Sequence, residues 1–135
     1  MNRSIVLAIL FAVMTCAIAA DVDNDWLVIK KEANGAVLSM SKSRVRREPI
    51  SPSWWSVWLK QQGKDVAYID GKPYTSLIRN YTVDCASDSL IAGTGAYYMG
   101  TTVVRTIDRE YVPVKALPYS IGESLLDIVC PGRAR

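Results

Sequence analysis

The stretch Pro118-Tyr119-Ser120-Ile121-Gly122-Glu123-Ser124-Leu125-Leu126-Asp127-Ile128-Val129-Cys130 limits the fold more than any other part of this chain. Ser120 is placed to cap a helix, and Glu123 three residues on completes a capping box. Ile121, Leu125, Ile128 and Val129 fall on one face, widened by Leu126, while Glu123, Ser124 and Asp127 take the opposite face. Gly122 lowers helix propensity, and Pro131-Gly132 stops the helix just past Cys130. So short a helix is marginal alone. Packing must hold it, and a covalent tie through Cys130 would hold it better.

The partner of Cys130 follows from the N-terminus. Arg3 supplies a positive start, residues 5–14 are unbroken apolar, and Ala17-Ile18-Ala19 is a small-x-small cleavage site. Residues 1–19 therefore read as a signal peptide cut after Ala19, leaving a single domain over residues 20–135 with its core at about 26–130. The apolar run ends at Ala20, short of the ~20 residues that span a bilayer, so no membrane span is expected after cleavage. Cys16 lacks the context for lipid attachment, having Thr15 before it and Val13 three before. Its removal with the leader leaves Cys85 and Cys130, which allow one intramolecular bridge in an exported protein. The alternative is two buried free thiols.

The chain of 135 residues is half hydrophobic and 21% charged, which suits one packed domain. Net charge is +3, or +2 without Arg3, too little to indicate nucleic acid or an anionic membrane. The absence of histidine excludes Ser-His-Asp and Cys-His nucleophiles and imidazole zinc sites. Asp21, Asp23, Asp25 and Glu32 have the spacing of a calcium loop, but Trp26 stands where the sharp turn needs glycine. No cofactor or metal is expected, and with no catalytic constellation in view the chain reads as a binding protein, not an enzyme.

Between leader and helix the sequence is strand-like. Residues 26–30 and the alternating residues 36–41 flank Asn34-Gly35, a hairpin signal. Residues 53–60 form a third strand, with Trp55, Val57 and Leu59 on one face and Trp54, Ser56, Trp58 and Lys60 on the other. Residues 64–73 read as a polar connection with a turn at Asp70-Gly71. In residues 76–85, Leu77, Tyr81, Val83 and Cys85 share the face a covering helix would occupy, and Arg79 departs from its apolar character. Gly93 and Gly95 indicate a bulge or close backbone packing in the next strand. Residues 101–107 form the last long strand. The expected fold is α+β: a sheet of about six strands with a C-terminal helix packed on one face, tied by one disulfide.

Two features are candidates for contact with a partner. Arg44, Arg46 and Arg47 form a basic cluster suited to an acidic protein surface or glycan, or else a solvated sheet edge. Trp54 and Trp58 offer either an exposed aromatic surface or a pair covered by a loop.

Several stretches, in order, resemble the surface-adhesin protein E family of exported proteins from Gram-negative bacteria. They are Trp58-Leu59-Lys60, Tyr74-Thr75-Ser76-Leu77-Ile78 running to Val83-Asp84-Cys85, Tyr97-Tyr98 with Gly100 and Val103-Val104, and Pro118 through Cys130. The resemblance covers about residues 26–130. It implies an antiparallel sheet, a C-terminal helix and a Cys85–Cys130 bridge. For function it implies an adhesin that contacts host or other extracellular proteins and forms a homodimer. The location it implies is periplasmic, secreted or on the cell surface. This chain departs from the family's adhesin by lacking a lipid attachment site and by its own basic loop at residues 44–47.

Overall fold

The computed structural model describes residues 22–133. The signal peptide read over residues 1–19 and its cleavage site lie outside the described residues. A 3-10 turn (Val22–Asp25) leads into strands β1 (Trp26–Lys31), β2 (Val37–Ser41), β3 (Arg46–Arg47), β4 (Trp54–Ile69), β5 (Lys72–Asp84), β6 (Ser89–Met99), β7 (Thr102–Ile107) and β8 (Val114–Lys115), then helix α1 (Ile121–Val129). Every strand pairing is antiparallel. The sheet runs β1-β2-β4-β5-β6-β7, with two-residue β3 beside β4 and two-residue β8 beside β6. No helix among the described residues is long and apolar enough to cross a membrane.

Turn chemistry fixes the register. In the first hairpin the Asn34 side chain accepts the Ala36 N–H at 2.9 Å and Gly35 takes φ +84°. In the second, Asp70 and Gly71 both have positive φ, the two-residue turn that matches strand twist. The expected connection at residues 64–73 is corrected here: it is the tip of one long β4–β5 hairpin, paired through Ala67↔Tyr74, Tyr68↔Pro73 and Ile69↔Lys72. This tip extends beyond the buried cluster, so nothing requires it to alternate apolar and polar. Residues 63–66 stand opposite Thr75 and interrupt the register.

Pairing sorts the sheet residues into two faces. One carries Leu38, Met40, Val57, Leu59, Tyr81 and Val83; the other carries Ser39, Ser41, Ser56, Trp58, Asn80 and Thr82. Leu125, Leu126, Val129 and Cys130 form a single buried cluster with Leu38, Met40, Val57, Leu59 and Val83. Cys85 and Cys130 are bonded, with their Cα atoms 5.6 Å apart.

Helix α1 begins as its sequence indicates, with one change. Ser120 Oγ accepts the Glu123 N–H at 3.2 Å, but Glu123 Oε2 accepts the Tyr119 N–H at 2.6 Å, and the Ser120 N–H turns to Leu117 O. Tyr119 at φ +61° brings its own amide round to the carboxylate. Ile128, assigned to the apolar face from periodicity, is 43% exposed. The buried arc centres on Val129 between Leu125 and Leu126, and Ile128 lies about 100° from that centre. Gly122 has a packing reason: a Cβ there would lie 2.7 Å from Leu90 Cδ1 and 3.1 Å from Ala116 Cβ.

Candidate functional site

The face opposite the buried cluster holds most of the basic and aromatic candidates, and an aspartate sets their positions. Asp25 accepts the Ser41 hydroxyl at 2.5 Å and the Ser43 N–H at 2.8 Å, while its carbonyl accepts the Lys42 N–H at 2.7 Å. Ser41 Oγ in turn accepts the Arg44 N–H at 3.2 Å. Those bonds, led by the one from Ser41, hold the Asp25 carboxyl below the usual carboxylate range. Among the described residues no cluster of ligating side chains could hold a metal, and this carboxylate serves as a turn cap. The turn it fixes places the Arg44 guanidinium 5.9 Å from the Trp58 ring centre. Lys60 Nζ lies 5.8 Å over the Trp26 ring on the same face.

The five predicted contact residues do not form one group. Arg46 pairs with Ser56 and so shares a face with Arg44, Trp54 and Trp58. Arg47 pairs with Trp55 and turns the other way, its guanidinium 5.2 Å from that ring. Trp26, Trp54 and Trp58 are each half-buried, neither bare nor enclosed. Beneath them lies a floor of small polar groups: Ser39, Ser41, Ser56 and Thr82 are buried, and Asn80 Nδ2 donates to Ser56 Oγ at 2.8 Å and to Val57 O at 3.0 Å. Trp26 and Lys60 escaped selection as contact residues. Alternation already put Lys60 on the Trp54 and Trp58 face, but Trp26 could not be placed that way, because β1 bulges between Val28 and Lys30 and the bulge reverses its phase.

The clustered face has a second feature, an apolar cleft of about 290 Å³ walled by Leu59, Leu77, Leu90, Ile121 and Leu125. Arg79, Glu110, Gln61 and Tyr81 supply its polar groups. Arg79, which looked like a break in the apolar pattern, is held inside by three acceptors. Its Nε donates to Gly93 O at 2.9 Å, and its Nη2 donates to Glu110 Oε1 at 2.8 Å and to Asp108 O at 3.4 Å. Gly93 can offer its carbonyl because β6 bulges there, with Arg79 paired to Gly95 and Tyr81 to Ala92. Burial pushes the Tyr81 phenol up from its ordinary range, against the opposing pull of Arg79, so it stays protonated at neutral pH.

The sequence profile of the family described as Surface-adhesin protein E matches residues 26–131. No curated protein sequence matches this chain. Among solved structures, crystal form II of Haemophilus influenzae protein E is similar at 10% identity with a TM-score of 0.62, covering 78% of this chain and 87% of that one. The selenomethionine form of the same protein is similar at 12% identity with a TM-score of 0.61, covering 80% and 87%. At that identity the likeness is one of fold.

Proposed function

Because the chain belongs to the surface-adhesin protein E family, we propose that it is an exported, adhesin-like binding protein that holds an acidic extracellular or host protein. Its contact surface is the sheet face bearing Arg44, Arg46, Trp26, Trp54 and Trp58, with Lys60 between them. The helix serves as a clamp on the opposite face. The observation that carries this reading is the pair of cations poised over half-buried rings on one face, Arg44 on Trp58 and Lys60 on Trp26. A cation held over an aromatic ring keeps outward N–H donors for a partner carboxylate, and the ring flattens the surface around it. Work outside the cell is supported by the leader sequence and by the bridge between the two cysteines that remain after cleavage.

Binding of the mature chain to immobilised matrix proteins, and to heparin as a polyanion, tests the assignment. Replacing Arg44 and Arg46 with Ser should weaken binding about tenfold, the combined worth of two exposed cation contacts. Arg47→Ser should leave it unchanged, because that side chain sits on the other face. Full binding by the double variant, or equal loss in Arg47→Ser, would refute the surface. A second reading is that of a periplasmic accessory protein pairing through a sheet edge. β1 and β7 favour it, since each is a six-residue edge strand. Cell fractionation separates the two, because a wholly periplasmic protein cannot meet a host surface.

A further inference from the structure

Packed interiors leave few voids larger than a water molecule, yet this small domain keeps an apolar cleft of about 290 Å³ beside its helix. That is the lower end of the ~300–1,000 Å³ range of small-molecule sites, so the occupant is fragment-sized. The walls are branched aliphatic side chains of β4, β5, β6 and α1. Gly122 lets α1 approach Leu90 along this lining, since a Cβ there would lie 2.7 Å from Leu90 Cδ1.

The polar groups define the chemistry. Arg79 is only 14% exposed and commits Nε and Nη2, which leaves Nη1 without a hydrogen-bond partner among the described residues. Its counter-ion Glu110 is 58% exposed and can swing into water without disturbing its backbone, which is anchored by the Glu110 N–H to Ala92 O bond. The Tyr81 ring lies beside the same guanidinium, 5.9 Å away, and lines the same cleft. A guanidinium with an open nitrogen, a phenol and an exchangeable carboxylate partner thus line an apolar hollow.

We propose that this cleft binds a compact amphiphilic carboxylate, its apolar body among Leu59, Leu77, Leu90 and Leu125 and its carboxylate on Arg79 in place of Glu110. Carboxylate geometry matches the planar guanidinium fork. The interaction is distinct from any contact made by the opposite sheet face.

The test is a proton–nitrogen NMR titration of the mature chain with octanoate, with phenylpropanoate, and with octanol as the uncharged control. The acids should shift the amides of Leu77, Tyr81, Leu90 and Leu125, and octanoate should bind about tenfold more tightly than octanol, as a charged hydrogen bond allows. A stronger response to octanoate assigns an acyl-chain acid, and a stronger response to phenylpropanoate an aromatic acid; both uphold the site. Glu110→Gln, which removes the internal competitor from an exposed position, should tighten octanoate binding severalfold and leave octanol unchanged. Arg79→Gln should erase the preference for the acid. Equal binding of octanol and octanoate, no tightening in Glu110→Gln, or no shifts at the solubility limit of the acids would each overturn the proposal. The Glu110 arm decides the matter even if Arg79→Gln fails to fold.

Discussion

The bridge between Cys85 and Cys130 should be decisive for helix α1 and only supportive for the sheet. Its partners lie 45 residues apart, and for a loop of that length the chain-entropy relation gives about 4 kcal/mol. The helix has little else to spare. Leu125 and Leu126 are fully buried and Val129 nearly so, each contributing about 1.5–3 kcal/mol. Against them stands the ordering of nine residues, at about 1–2 kcal/mol each for the backbone alone. Side-chain packing therefore does not exceed the ordering cost by itself, and the covalent tie tips the balance.

Replacing both cysteines with Ser, or reducing the bridge, should lower the melting temperature by about 15 °C for a domain of this size. Thermal unfolding followed by circular dichroism measures that fall. Amide hydrogen exchange locates it: the amides of residues 125, 126 and 130 should lose protection well before those of Val57 and Val83, which are fully buried on β4 and β5, the middle strands of the sheet. A fall of under about 4 °C, equivalent to roughly 1 kcal/mol, would refute the reasoning. So would helix amides that remain as protected as the strands after reduction, since packing would then hold α1 unaided.

Two further outcomes follow from local geometry. Asp25 is held below the usual carboxylate range by the bonds from Ser41 and Ser43. At Asp84 burial opposes ionisation, but bonds from Ser87, the Ala86 N–H and Ser53 outweigh it and lower the value as well. A depressed native pKa stabilises the fold fully above the unfolded value near about pH 4, and that contribution is lost as pH falls through the native value. Urea midpoints should thus drop on acidification below about pH 4, and less steeply in Asp25→Asn and Asp84→Asn; unchanged slopes in both would exclude these carboxylates as the cause. Gly95→Ala should cost about 2 kcal/mol by overpacking, because its methyl would lie 2.5 Å from Ile78 O and 2.9 Å from Arg79 Cα. Urea unfolding measures this cost, and a loss under about 0.5 kcal/mol, the range of an ordinary surface change, would show that the strands separate freely there.

Sequence was most informative where one residue answers to one constraint. The phase of Leu77, Tyr81, Val83 and Cys85 gave the sheet face that meets the helix, because alternation leaves only two faces to choose between. Ser120 and Glu123 located the helix start, because capping is local. The tip of the β4–β5 hairpin was illegible, because both its faces are wet and hydropathy does not alternate there. The burial of Ser39 and Ser41 was hidden for a different reason: small hydroxyls lose exposure to larger neighbours, which hydropathy does not record. The division of Arg44 and Arg46 from Arg47 depends on the two-residue β3, too short to show a pattern. The cleft could not be seen at all. It depends on which residues β6 displaces at its bulge and on where residues 108–110 return, and both are set by pairing across the sheet.

Arg79 is the clearest case of a residue whose placement does not serve stability. Taking a guanidinium out of water is costly. The fold offsets this with a bulge that offers the Gly93 carbonyl, a returning segment that offers Asp108 O, and an exposed Glu110. An apolar side chain of similar volume would need none of these and is often as stable or more so in a buried ionic setting. The neighbours Leu59, Leu77 and Leu90 already supply the apolar surface on which such a side chain would pack. Stability alone would therefore favour leucine or methionine at position 79 and a regular β6. What the arginine adds is a fixed positive charge in a sheltered hollow, with one nitrogen uncommitted and one counter-ion easily released. Those are the properties of a recognition group, and they lie on the sheet face opposite the proposed contact surface.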